Sequence, residues 1–253
     1  MPPSAALPPA LRASLQARPG PAAVTEEAAT LAPTLAEVFA VTAADAAVTG
    51  FVLARLTAQA AQEARGGASG GHPEPRPETR PEARPILWVQ DRLSRREAGV
   101  PCLAGLGTTR LLLVEARQPR AALWAMEEGL GCGALAGVVG EIWGDPAVLD
   151  FTATKRLALR AEAQGVPAWL IRRAATPALS AARERWRVAA LPAEADPDDL
   201  RAPGAPLWRA ELFRARWRRP GAWVARPVSG GLVMEHGTDA GAAQTAAPQA
   251  ARA

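Results

Sequence analysis

The residues best placed for chemistry lie in "AEVFAVTAADAAVTGFVLARL", residues 36–56. A short β-type run leads through small residues into an apolar-periodic helix, which is the layout that carries a P-loop, G-x-x-x-x-G-K-S/T. That motif binds anions. Glycine N–H groups wrap the phosphates, a lysine meets the β/γ-phosphates, and a hydroxyl holds Mg²⁺. The matching places here hold Ala40, Asp45, Ala46 and Ala47. Asp45 sets an anion where a glycine should admit one, and no lysine or Mg²⁺-binding hydroxyl follows. The expectation is a vestigial phosphate cradle, with no cofactor, no metal and no catalytic residue.

A second constellation lies near the C-terminus. Arg214, Arg216, Arg218 and Arg219 alternate with or adjoin Trp217, and Trp223 follows. Arginine–phosphate contacts with indole stacking would suit single-stranded nucleic acid. The same residues suit an acidic protein partner, or a solvated hairpin edge protected from aggregation by its charge. Residues 171–226 carry 12 Arg against 6 acidic residues, although the whole chain has a formal charge of only +4. The positive charge is therefore concentrated in the C-terminal third.

The missing residue types exclude much else. There is no Tyr, and the only histidines are His72 and His236. Of the 29 basic residues only Lys155 is a lysine, and arginine does not deprotonate. Ser-His-Asp and Cys-His catalysis and histidine-ligated metals drop out, leaving carboxylate-only catalysis. Asp91, Glu115 and Glu141 fall at or near ends of predicted parallel strands, where α/β ligands bind, and read as vestigial for want of a base or metal partner. Cys102 and Cys132 have no metal-ligand spacing and read as buried or partly buried structural thiols in a reducing cytoplasm. No charged segment followed by an apolar core opens the chain, and no apolar run approaches ~18–20 residues. The expectation is a cytoplasmic protein with no signal peptide and no membrane span.

The elements that must position these residues alternate. The helix after "AEVFA" shows an apolar face at Val48, Phe51, Val52 and Leu56. "PILWVQ" (85–90), "RLLLVEA" (110–116) and "ALAGVVGEI" (134–142) read as buried strands, and "VPAWLIR" (166–172) and "RWRVAALP" (185–192) as further strands. Helices are expected over 120–131, closed by Gly131, and over 150–165, capped by Asp150 or Thr152 and stopped by Gly165. Trp124 and Met126 have core spacing, and Trp88, Trp143 and Trp169 are expected in the core. Residues 207–227 read as a β-hairpin turned at "RRPG", with Trp208, Ala210 and Leu212 on one face and Arg209, Glu211 and Phe213 on the other.

This alternation gives βαβ units and a mostly parallel sheet flanked by helices, an α/β fold. The domain is expected over 34–228, between a mostly disordered segment 1–33 and a disordered tail 229–253. A Pro/Glu/Arg-rich insertion occupies 62–85, where "PEPRPETRPEAR" forbids a helix.

Taken in order, these elements resemble the RecA-like core, and the chain from about residue 35 to about 227 is most similar to the ImuA family. ImuA proteins are RecA-related accessory proteins of bacterial SOS mutagenesis, with the cell-division inhibitor SulA among their relatives. "AEVFA…AADAAVTGFVLARL" stands at the P-loop, "ALAGVVGEI" at the Walker B strand with Gly140 or Glu141 in the Asp position, and "ALWAMEEGL" is the most ImuA-like stretch. The resemblance implies a non-catalytic adaptor. Its partners would be ImuB, a Y-family polymerase relative, and an error-prone polymerase subunit, with RecA as a further contact. It also implies no ATP hydrolysis by the RecA route. A SulA-like division inhibitor, a DNA-binding module using the basic hairpin and a RecA-like ATPase with an unusual pocket are the other readings.

Overall fold

A computed structural model describes residues 34–66, 84–102, 110–199, 201–228 and 231–236. The expectations for 1–33, for His72 and for the proline repeat lie outside these residues. The described chain builds a nine-stranded sheet in the order β3-β2-β4-β5-β1-β6-β7-β8-β9. The strands are β1 (Leu35–Ala40), β2 (Ile86–Asp91), β3 (Leu111–Ala116), β4 (Gly137–Trp143), β5 (Ala168–Arg173), β6 (Glu184–Leu191), β7 (Leu207–Ala215), β8 (Gly221–Val228) and β9 (Gly231–His236). From β3 to β6 every pairing is parallel, and from β6 to β9 every pairing is antiparallel. The α/β class and the mostly parallel sheet agree with the sequence reading.

Among the described residues four helices flank the sheet: α1 (Ala47–Gly66), α2 (Arg92–Ala98), α3 (Pro119–Gly129) and α4 (Phe151–Gln164). Because side chains alternate along a strand, each central strand feeds two cores. Val38, Trp88, Val139, Ile171, Trp186 and Trp208 pack with Val48, Phe51, Val52 and Leu56 of α1. Leu35, Val89, Val138 and Leu170 pack with Met126 of α3 and Leu157 of α4 on the other face. The caps of α4 follow the sequence: the Asp150 carboxylate accepts from Ala153 N at 2.7 Å, and Gly165 stops the helix at φ 68°.

Several expectations need correction. Strand β3 is not buried on both faces. It is the sheet edge, with Leu112, Leu113 and Val114 all exposed. A continuous apolar run specifies a strand but not its place in the sheet. Helix α1 continues to Gly66, so residues 62–66 belong to it and not to the insertion. Helix α3 ends at Gly129, and Gly131 stands in the turn beyond. Trp124 is 64% exposed, because only Ala122, Leu123 and Met126 of α3 face the sheet. Trp143 is half-buried, while Trp88 and Trp169 are core residues. Cys102 and Cys132 are both free and exposed, lying in irregular chain outside the packed layers.

Two elements lack a counterpart in the sequence reading. Helix α2 is capped by Asp91, whose carboxylate accepts from Ser94 N at 2.6 Å. Strand β9 occupies 231–236, residues assigned to the tail, because Leu232 and Met234 alternate into the α1-side core. No helix of the described residues is long and apolar enough to cross a membrane.

Close packing beneath the sheet fixes one glycine. A Cβ on Gly140 of β4 would sit 2.1 Å from the Met126 sulfur. Gly140→Ala is expected to destabilise the protein by about 1–3 kcal/mol through overpacking, read as a lower urea midpoint at unchanged slope.

Candidate functional site

The C-terminal ends of the adjacent strands β1, β5 and β4 form the sheet edge where α/β ligands bind. The junction compared above with a phosphate cradle lies there, and it holds a cation from within. Arg173, the last residue of β5, donates from Nη1 to the carbonyl oxygens of Ala43 (3.0 Å) and Asp45 (2.7 Å) and from Nη2 to the Thr49 hydroxyl (3.0 Å). The loop therefore presents carbonyls to the position, which an anion-binding nest would line with N–H groups.

The start of α1 is also filled. A helix N-terminus favours a negative charge, and the Asp45 carboxylate supplies one, accepting from Ala47 N at 2.8 Å. Its other oxygen accepts from Ala190 N at 2.8 Å, which ties the loop to β6. Ala46 and Ala47 add only backbone to this turn, and Ala40 ends β1 below it. A phosphate group would have to displace both charges.

Behind Arg173 stands Glu141 of β4, 2% exposed and 2.5 Å from Arg173 Nε. Its second oxygen accepts from Gln90 Nε2 at 2.8 Å and Trp88 Nε1 at 3.3 Å. The acid expected to be vestigial is thus the anchor of a buried network. Asp91 is tied up as the α2 cap and also accepts from Trp143 N. Glu115 lies exposed on the edge strand β3, away from both.

Arg172, one residue earlier, goes to the opposite face. It meets Asp145 at 2.7 Å and Glu37 of β1 at 3.9 Å, and Arg185 of β6 reaches the same Glu37 at 2.7 Å. Burial lowers the Arg172 pKa, against the raising charges of Glu37 and Asp145. Burial also pushes Asp145 up, but hydrogen bonds from Thr176 and the charge of Arg172 outweigh it, and its carboxyl sits below the usual range. Sequence reasoning missed Arg172, Arg173 and Arg185. Its one available signal was Glu37, a charge in the middle of an apolar strand.

The basic turn joins β7 to β8, and the structure divides its residues. Arg214, Arg216, Trp217 and Arg219 are exposed. Arg218 turns inward, donating to the buried Glu184 at 2.8 Å and lying over the Trp186 and Trp223 rings. Trp223 is 4% exposed and packs in the α1-side core, so it presents no ring to solvent. Among the described residues, no group of three or more His, Cys, Asp or Glu could hold a metal ion.

Three outcomes are expected. Arg173→Met should cost about 3–5 kcal/mol by leaving Glu141 buried without its partner, and adding Glu141→Gln should recover part of that loss in urea titrations. Ala46→Lys should gain no ATPase activity in a steady-state phosphate-release assay, since Arg173 and Asp45 still fill the turn. The third concerns Glu162, held below its ordinary pKa by hydrogen bonds from Arg183, against burial, with further help from Thr34. A depressed carboxylate stabilises fully above its unfolded pKa of about 4.3 and loses that contribution as pH falls through the folded value. Glu162→Gln should therefore narrow the gap to the parent protein as unfolding is followed into that acid range.

No protein-family model matches the chain. Over 158 residues it is 34% identical to Protein ImuA of Caulobacter vibrioides, from strain NA1000 / CB15N and likewise from strain CB 15. The match takes in 58% of this chain, and spans 62% of the length of each relative. The chain is thus similar to ImuA proteins over less than two thirds of their length.

Proposed function

We propose that the chain is a non-catalytic adaptor in a bacterial translesion-synthesis complex, acting in DNA-damage tolerance with an ImuB-type Y-family polymerase relative and an error-prone polymerase subunit. The similarity to ImuA proteins supports the pathway. The observation that carries the non-catalytic part is the self-filled junction, where Arg173 occupies the loop and Asp45 the helix start. A nucleotide enzyme needs this place open for phosphate and Mg²⁺.

On this reading the junction is a RecA-like nucleotide pocket that has become an internal strut. The β1–loop–α1 unit at the middle of the sheet and Glu141 near the end of β4 support that descent. The fold is retained as a rigid support for surfaces that meet other proteins.

The experiment is affinity recovery of the tagged protein from DNA-damaged cells with mass spectrometry of what it holds. A Y-family relative together with a polymerase subunit is the expected result. Recovery of a division GTPase in their place would overturn the adaptor reading. Isothermal calorimetry with ATP and Mg²⁺ should show no binding, and measurable ATP binding would overturn the account of the pocket.

A further inference from the structure

A groove of about 330 Å³ runs between the outer face of α4, the β5–β6 connection and the end of β7. Phe151, Lys155 and Leu159 line it from α4 at i, i+4 and i+8 spacing, which puts them on one helix face. Ala182, Arg214 and Arg216 line the opposite wall. Phe151 is 42% exposed and Leu159 50%, so the groove offers solvent two large apolar side chains.

The charged residues that line the groove, Lys155, Arg183, Arg214 and Arg216, are all basic. The acids beside it are committed: Glu162 is held by Arg183 at 2.6 Å, Glu184 by Arg218 at 2.8 Å, and Asp150 caps α4. Neither Lys155 nor Arg214 forms an ion pair with any described acid. Arg216 lies over the exposed Trp217 ring at 5.8 Å and adds its field at Glu162, with no ion pair to a described acid. A strip of Phe and Leu edged by uncommitted cations is complementary to a chain segment of the opposite pattern.

We infer that this groove is a docking site for a short acidic peptide segment of a partner protein, with a large apolar side chain seated between Phe151 and Leu159 and flanking carboxylates on Lys155, Arg214 and Arg216. The inference deepens the adaptor reading by naming the chemistry of one partner contact. Single-stranded nucleic acid fits less well. It calls for rings facing solvent along a basic track, and of the two tryptophans at the neighbouring turn Trp223 is in the core. The lone lysine of the chain and two exposed arginines of the turn thus acquire a common purpose that neither the caps nor the core requires of them.

The test is selection from a random-peptide phage library on the immobilised full-length chain, followed by fluorescence anisotropy of the enriched peptides. Enriched sequences should pair a large apolar residue with flanking Asp or Glu. Their affinity should fall about tenfold in Lys155→Glu/Arg214→Glu, and by a similar factor in Leu159→Ser. These side chains are solvent-exposed, so circular dichroism should match the parent. Enrichment of peptides without acids, binding indifferent to the variants, or no enrichment would overturn the inference. So would a labelled oligothymidylate that binds, and is lost with Lys155→Glu/Arg214→Glu, while peptides do not. Recovery of polymerase components undiminished by the double variant would remove the groove and leave the adaptor. Groove-dependent peptide binding without any polymerase component would do the reverse.

Discussion

Two consecutive arginines at the end of one central strand hold this molecule together. A strand sends neighbouring side chains to opposite faces, so Arg173 enters the layer between sheet and α1 while Arg172 enters the opposite one. Each finds a buried carboxylate on an adjacent strand, Glu141 on β4 and Glu37 on β1. Burying a charge costs several kcal/mol, and the cost is met only when its partners are in place. Strand register, the path of the loop before α1 and the position of the 144–146 turn are therefore set together. A one-residue slip of β5 would carry both guanidinium groups to the wrong faces.

That constraint also explains why the junction before α1 is filled. In a phosphate-binding junction the polar groups of the loop wait for a ligand from outside. Here Arg173 and Asp45 satisfy them from inside, in a manner that needs no ligand for the loop to be ordered. The backbone at the strand ends bends to suit. Gly144 follows β4 at φ 67°, and Ala174 follows β5 at φ 48°, a left-handed conformation costly for a residue with a Cβ. The strain sits directly after Arg173, where the chain must turn away once the guanidinium is committed.

How much of this was legible depended on whether a property is local. Alternating apolar runs, the Asp150 cap and the Gly165 stop are encoded within a few residues, and they appear where the sequence put them. Place in the sheet is not local: "RLLLVEA" reads the same at an edge as in the centre, and only the strand order exposes Leu112 to Val114. The fate of Trp223 lay between these cases. The hairpin register sets it opposite Ala210, on the face already assigned to Trp208 and Leu212, so the turn length held that answer. Arg173 gave no such signal. Its partners are 32 residues away at Glu141 and about four times as far at Ala43, Asp45 and Thr49, and no spacing rule joins them. That the junction before α1 has no P-loop residues was plain in the sequence, but the groups that fill it were not.

The antiparallel extension completes the division of labour. Strands β6 to β9 share the α1-side core through Trp186, Trp208, Trp223 and Met234. On the reverse side their charges pair across strands, as Arg187 does with Glu211 at 3.1 Å, directly opposite in register. Arg218 spends its charge on Glu184 inside. Charges so committed lose much of their attraction for outside groups. Among the exposed cations without an ion pair, Arg214 and Arg216 meet Lys155 of the facing helix at one groove. A fold whose buried charges are neutralised among themselves leaves its positive potential to unpaired surface groups, and three of these lie together at the end of β7 beside α4.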